Sequence, residues 1–272
     1  IEDIYKGVLK NTGISPEDID LISVTSGPGL IGSVLVGLCF AKGLSLSLKK
    51  PIIGINHIEA HAMSIFLERE VQFPFIALVV SGGHTMILLI EDCCSFRVLG
   101  STRDDAAGEA FDKIAKYLGI GYPGGKIIED YALHGDENYV YFPRPMIDDN
   151  NYDFSFSGLK TAFVNYVKKN SITNYNLKNI LASFQRAVCD VLVWKTIRAA
   201  RDNDVRRVVV GGGVAANNRL REVFREEGEK RDVDIMFSSP DLCSDNGAMV
   251  AILGWFYFRK GIVSSLDVKG FS

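Results

Sequence analysis

The sequence predicts an α/β fold, and three observations carry that reading. Stretches of strand length occur at residues 51–55, 75–80 and 206–210, the first two apolar and the third closing on Val208-Val209-Val210. Glycine-rich turns (Ser26-Gly27-Pro28-Gly29 and Gly211-Gly212-Gly213) stand between strand-like and helix-like stretches. Apolar residues recur at helical spacing in residues 1–11 (Ile1, Ile4, Tyr5, Val8, Leu9) and over 177–202. Strands separated by glycine turns and helices are the pattern of mixed α/β architecture.

A chain of 272 residues can bury a sizeable core, as one large domain or as two lobes. A hydrophobic content of 47% with 23% charged residues is that of an ordinary globular protein. The net charge of −3 and pI near 5.9 exclude a global basic field, so RNA contact requires a local patch or a partner's surface. Five cysteines with no C-x-x-C pair suit a reducing cytoplasm better than a disulfide framework. The apolar stretch 30–48 contains Lys42, three glycines and three serines, and reads as a buried helix rather than a membrane span. No signal peptide precedes it, and Ile1 opens directly into a helical pattern, as though the chain began within a domain.

After the first helix, Ser15-Pro16-Glu17-Asp18 starts a short turn and residues 19–25 read as a strand. Residues 26–33 then lead into the apolar helix, a strand–turn–helix unit compatible with phosphate. No Gly-Lys-Ser/Thr follows, so this is not a Walker A loop, and tight helix packing explains the glycines equally well. Residues 75–80 form a strand buried on both faces, and Ser81-Gly82-Gly83-His84 turns the chain into a strand at 85–90. Gly-Gly fits a hairpin turn or an anion cradle.

The charged run 103–113 leads into a helix ending near Leu118 and reads as a solvated face. Tyr122-Pro123-Gly124-Gly125 breaks the helix before another at 127–133, and 134–151 is a loop. Residues 153–161 alternate like a strand and then turn helical. Residues 211–216 fit G-x-G-x-x-A after a strand, but no acid follows the next strand (234–237) at the Rossmann offset. A nucleotide loop of another fold is the better reading. Helices follow over 219–230 and from 248 to about 259.

Two of the four histidines, His57 and His61, stand four apart after the strand at 51–55. On a helix that spacing stacks both imidazoles on one face, where they can share Zn2+ or Fe2+. The alternative is a capped amphipathic helix with solvent-facing histidines, anchored by Ile58, Ala62, Ile65 and Phe66. Asn56 is a suitable N-cap, and Glu59 has the spacing to reach back to it. The order H-x-E-x-H excludes a zinc-protease helix, whose glutamate must follow the first histidine directly. Asp245 fits either an N-cap of the last helix or a carboxylate brought to the histidine pair from the far side of a cleft.

The ordered set of motifs resembles a known family. It comprises Ser26-Gly27-Pro28-Gly29 with Ala41-Lys42-Gly43-Leu44, His57/His61, Ser81-Gly82-Gly83-His84-Thr85 and Gly108-Glu109-Ala110-Phe111-Asp112-Lys113. Tyr122-Pro123-Gly124-Gly125, Asp153 to Thr161, Gly211 to Asn217 and Ser244-Asp245-Asn246 continue it in order. The sequence is similar over nearly its whole length to the bacterial TsaD family, the tRNA threonylcarbamoyladenosine transferases.

The resemblance implies a two-lobed, actin-like and sugar-kinase-like ATPase (ASKHA) fold with a central ligand cleft. Lobe I would comprise residues 1–73 with 246–272 returning to it, and lobe II residues 74–245. It implies transfer of threonylcarbamoyl from threonylcarbamoyl-adenylate to the exocyclic amine of the adenosine beside the tRNA anticodon. His57, His61 and Asp245 match the ligands of one divalent ion, Fe2+ or Zn2+. Val79, Val80, Ser81, Gly82, Gly83, Asp112, Gly125 and Asn217 match positions that contact the adenylate or adenine nucleotide. The implied partners are tRNA, a paralogous TsaB-like subunit, a TsaE-like small ATPase and a TsaC-like enzyme supplying the adenylate, with no membrane involved.

Two departures stand out. The family begins with a strand and hairpin carrying a Gly-Ile-Glu-Thr-Ser-like motif that has no counterpart here, so roughly fifty residues of lobe I are expected to be absent. Glu129 replaces an expected substrate-contacting Asp with one more methylene. The competing readings are a non-catalytic partner subunit of the same fold and a metal-dependent hydrolase. Ser81 and Cys243 are candidate nucleophiles, though no His–acid pair is visible beside either.

Overall fold

In the computed structural model, which describes residues 1–272 apart from the side chain of residue 174, the chain divides into two units. One comprises Ile1–Arg69 with Asp245–Ser272, the other Glu70–Ser244. Against the expected bounds, residues 70–73 belong to the second unit and Asp245 to the unit of the histidine pair.

The first unit starts with α1 (Glu2–Thr12), then β1 (Ile22–Gly27), α2 (Ile31–Leu48), β2 (Ile52–Asn56) and α3 (His57–Met63). The chain returns with a closing helix, Gly247–Arg259. β1 and β2 pair in parallel, Ile22 opposite Ile52. Ile22, Ala41 and Ile52 are buried together, with Ile19, Val24, Leu44 and Val268 packed around them. Removing that apolar surface from water is what fixes α2 on the strand pair.

α2 corrects the expectation of a buried helix. Only Val34, Leu38, Ala41 and Ser45 are buried, whereas Leu30, Val36 and Leu46 are well exposed. One face meets β1, Tyr5 of α1 packs edge-on against Phe40, and the flank carrying Leu35, Val36 and Leu46 is exposed. By length and composition this helix alone among the described residues passes as a membrane span, with mean hydropathy 1.8.

The second unit is built on a five-stranded sheet. Its elements are β3 (Phe75–Val80), β4 (Thr85–Asp92), β5 (Ser95–Ser101), α4 (Ala107–Leu118), α5 (Gly124–Ala132), α6 (Ser157–Lys169) and α7 (Asn174–Asp202). Then come β6 (Arg207–Gly211), α8 (Asn218–Arg231), β7 (Asp234–Phe237) and the single turn α9 (Pro240–Cys243). The strand order is β5-β4-β3-β6-β7. β3 runs antiparallel to β4 and parallel to β6. Every residue of β3 is buried, as a six-residue apolar run in mid-sheet requires. Phe111, Phe163 and Phe184 pack edge-on in the core beside it.

Three sequence expectations change here. β5 was not foreseen, because Ser95-Phe96-Arg97-Val98-Leu99-Gly100-Ser101 is an edge strand with weak alternation. Residues 153–156 make only one bridge, Thr102 to Phe154, beside the end of β5, where Phe154 N–H donates to the Ser101 carbonyl at 3.0 Å, and Phe154 and Phe156 then go to the core. The charged run at 103–113 is not simply solvated. Asp104 accepts from the backbone N–H of Phe156 and Ser157 (2.8 and 3.2 Å). Asp105, 8% exposed, binds Lys113 Nζ and Lys160 Nζ at 2.6 and 2.8 Å. These acids tie the start of α4 to the start of α6.

Candidate active site

The first candidate centre lies within the first unit. Asn56 Oδ1 accepts from Ile58 N–H and Glu59 N–H at 2.9 and 3.3 Å, so α3 begins at His57. Glu59 does not complete a capping box; it accepts from Tyr257 Oη at 2.9 Å, and burial pushes its carboxyl pKa up. This places the glutamate on the closing helix's side, consistent with the exclusion of a zinc-protease arrangement. Ile58 and Ala62 are buried and hold the helix.

The two imidazoles sit edge to face with centroids 4.7 Å apart. His57 Nε2 and His61 Nε2 lie 3.5 and 3.1 Å from the same oxygen, Asp245 Oδ1. His61 is 1% exposed, and its buried Nδ1 has no hydrogen-bond partner. Hydrogen bonds from His57 and then His61 hold the Asp245 carboxyl well below the usual carboxylate range. Asp245 is not the N-cap of the closing helix: Asn246 is, its side chain accepting from Met249 N–H at 2.8 Å. Asp245 is thereby left at the mouth of the site, its side chain 76% exposed.

The donor set fits a metal ion. Nitrogen and oxygen donors about 2.1 Å from an ion in tetrahedral or octahedral array lie about 3.0–3.4 Å from one another. Two imidazoles and a carboxylate suit Zn2+ or Fe2+ and leave coordination positions for a substrate. The group opens on a cavity of about 670 Å³ whose wall includes Thr25, Pro28, Gly29 and Ser33. Gly27 beside it has a structural reason, since at φ 143° an added Cβ would collide with Phe271.

The second candidate centre is a cavity of about 570 Å³ within the second unit, lined among others by Gly82, Asp112, Gly125, Glu129, Gly213 and Asn217. The glycines lining it or next to those that do fall into two kinds. At Gly108, Gly124 and Gly212 an added Cβ would come 2.5 Å from the carbonyls of Ser81, Phe111 and Val80, so backbone approach demands glycine. At Gly82, Gly125 and Gly213 a Cβ would meet nothing within 4 Å, and none of the three has a φ that disfavours a side chain. Neither packing nor conformation requires glycine at these three.

Polar residues at this cavity also support its walls. Asp112 Oδ1 accepts from Gly124 N–H at 2.7 Å and fixes the turn before α5. Glu129 Oε1 accepts from the backbone N–H and side-chain Nδ2 of Asn218 at 2.7 and 2.9 Å. Asn217 caps α8 by accepting from Leu220 N–H (3.0 Å) while donating to Gln185 (2.9 Å). The extra methylene of Glu129 is thus used to reach the start of α8.

Val79 and Val80 are fully buried in β3 and do not line this cavity, so their side chains serve the core. Gly83, like Gly82, is exposed with open space around it. Ser81 Oγ accepts from His84 N–H at 3.2 Å, which makes it a turn residue. Cys243 is 1% exposed and lies 3.6 Å from the Ser238 carbonyl, buried away from any attacking position. Tyr122, Gly213 and Pro240 line the cavity without having been singled out individually. Gly213 and Tyr122 lie inside motifs legible in sequence, but nothing local marks Pro240.

Residues 1–252 match the TsaD family, described as tRNA N6-adenosine threonylcarbamoyltransferase. A protein of that name from Geotalea uraniireducens is 48% identical over 270 residues, covering 98% of this chain and 79% of that protein. One from Thermosipho africanus is 49% identical over 267 residues, covering 98% and 81%. Among solved structures, T. kodakarensis HypF gives a TM-score of 0.69 at 16% identity over 90% of this chain, which spans 41% of that protein. The activator of the 2-hydroxyisocaproyl-CoA dehydratase from Clostridium difficile gives 0.51 at 17% identity, covering 88% and 84%. The structural likenesses concern the fold, which is of the actin-like, sugar-kinase-like ATPase class. By sequence over nearly its whole length, the chain belongs to the TsaD family of tRNA N6-adenosine threonylcarbamoyltransferases.

Proposed function

We propose that this protein transfers the threonylcarbamoyl group from threonylcarbamoyl-adenylate to the N6 amine of the tRNA adenosine next to the anticodon. The observation that carries the chemical part is the convergence of His57 Nε2 and His61 Nε2 on Asp245 Oδ1. A divalent ion held by these three residues, Zn2+ or Fe2+, would supply Lewis-acid polarisation of acyl-donor oxygens.

The chain's own residues do the positioning. Asn56 and the buried Ile58 and Ala62 fix α3, so both imidazoles are aimed before substrate arrives. Gly82, Gly125 and Gly213 present bare backbone to the adenylate, and Asp112 and Glu129 hold the turns that carry it. The N-terminus of α8, fixed by Asn217, favours a phosphate through its free N–H groups and dipole. In the transfer the N6–carbon bond forms, the carbon–oxygen bond to phosphate breaks, AMP leaves with the bonding pair and the amine loses one proton. The structural tasks of Ser81 and Cys243 favour direct attack without a covalent protein intermediate.

With a net charge of −3, tRNA binding is best shared with a TsaB-like subunit and a TsaE-like small ATPase, the adenylate coming from a TsaC-like enzyme. Cysteines held outside disulfides suit a cytoplasmic setting. The test is transfer of labelled threonine from threonylcarbamoyl-adenylate to a cognate tRNA, partners present, by the parent and by His61→Ala. Product from the parent alone is expected. No product from a folded, metal-loaded parent would favour a non-catalytic subunit, and loss of turnover in a metal-replete Cys243→Ala would overturn the direct-attack reading.

A further inference from the structure

The hairpin between β4 and β5 turns on two adjacent cysteines. Asp92 pairs with Ser95, which leaves Cys93 and Cys94 as the two corner residues. Two-residue hairpins ordinarily place Asn-Gly, Asp-Gly or Gly-Gly there, because those residues accept the left-handed backbone of the favoured turns. Here neither cysteine has a positive φ, and the turn is held by Asp92 Oδ1 accepting from Cys94 N–H at 2.6 Å. Turn propensity therefore gives no reason for thiols at both corners.

Their geometry does. In an extended strand adjacent side chains point to opposite faces, but at this corner the two sulfurs are 3.7 Å apart. That is too long for a disulfide and well matched to two thiolates on one tetrahedral ion: with Zn–S bonds of about 2.3 Å, the S···S edge is about 3.8 Å. A carboxylate oxygen of Asp92 joins them, all three donor atoms lying within 4.8 Å of one another. Cys93 is buried and Cys94 half-buried, so one sulfur is shielded while the other side of the group faces solvent. The nearby Glu91 is engaged by Ser95 Oγ at 3.0 Å and is not needed to complete the set.

The geometry points to a second metal site at Asp92, Cys93 and Cys94, one for a thiophilic divalent cation of the Zn2+ class, separate from the histidine–aspartate group. Three consecutive residues supply the donors, and the hairpin already holds them, so little conformational entropy is lost on binding. Soft sulfur donors select such an ion over Mg2+ or Ca2+. Binding replaces two S–H bonds with two metal–thiolate bonds and releases two protons, so affinity falls with falling pH. Water completes the coordination shell on the exposed side.

Cobalt(II) titration of the reduced protein tests this, because thiolate ligation gives a charge-transfer band that imidazole and carboxylate ligands do not. A band is expected in the parent and in His57→Ala/His61→Ala, lost in Cys93→Ser/Cys94→Ser, and bleached when Zn2+ displaces cobalt. Cys94→Ser alone, at the less buried position, guards against misfolding of the double variant and should also lose the two-thiolate band. Cobalt binding without a thiolate band in the parent would overturn the proposal. So would a band that survives in the folded double variant.

Discussion

His61 Nε2 lies 3.1 Å from Asp245 Oδ1, although 184 residues separate them in sequence. Each arrives by its own local device, the Asn56 cap for α3 and the Asn246 cap for the closing helix. Removing either donor should therefore leave the fold intact and reduce metal affinity. We expect Asp245→Ala and His61→Ala to bind Zn2+ at least about tenfold more weakly, as loss of even an outer-shell partner does. Asp245→Ala should be the cleaner test, because its side chain is 76% exposed, whereas His61→Ala also opens a buried space. Equilibrium dialysis in a Cys93→Ser/Cys94→Ser background, with circular dichroism, checks both.

The two kinds of glycine in the second unit should separate stability from binding. Gly125→Ala has room for its Cβ and should change stability by no more than about 0.5 kcal/mol. It should nevertheless weaken adenine-nucleotide binding about tenfold, a loss of about 1.4 kcal/mol, if the ligand occupies that space. Gly108→Ala would press on the Ser81 carbonyl and should cost about 1–3 kcal/mol of stability. Urea unfolding and calorimetric titration of both variants distinguish the cases.

Glu129 is a wall residue whose loss should be felt at α8. Glu129→Ala removes both hydrogen bonds to Asn218, and because Asn218 is exposed to water the cost should be about 0.5–1.5 kcal/mol. Glu129→Asp keeps the charge but shortens the reach, and should recover only part of that loss. Equal stability of parent and Glu129→Ala in chemical denaturation would show that the contact contributes nothing.

Lys195 is a buried cation on α7, donating to the Asn151 carbonyl at 3.1 Å. Burial, with Arg198 nearby, lowers its pKa to about 8 from an ordinary 10.5. Between those values the unfolded chain holds a proton that the native chain releases, so this group makes stability rise with pH there. Lys195→Met removes the dependence. The parent's stability relative to the variant should therefore increase from pH 8 to pH 10 in urea melts, and a constant difference would contradict it.

The α/β class, the two imidazoles on one helical face and the order of the glycine turns were legible in sequence. Each rests on local periodicity, capping or backbone freedom, which neighbours along the chain determine. β5 was not legible: its partner is β4, and an edge strand with few buried side chains carries little apolar pattern. The exposed flank of α2 was not legible either, because an apolar helix reads the same whether one face or all of it is covered.

The sequence by itself determined which residues could ligate a metal and which turns could receive an adenylate, since donor chemistry and glycine are properties of residue type. Only the tertiary structure decided that Asp245, not a cap of the closing helix, meets His57 and His61. It also decided which glycines are required by the backbone and which lie open, and that the Cys93 and Cys94 sulfurs face each other across a turn. Those outcomes depend on contacts and distances between chain segments or across a tight turn, and spacing along the sequence does not specify them.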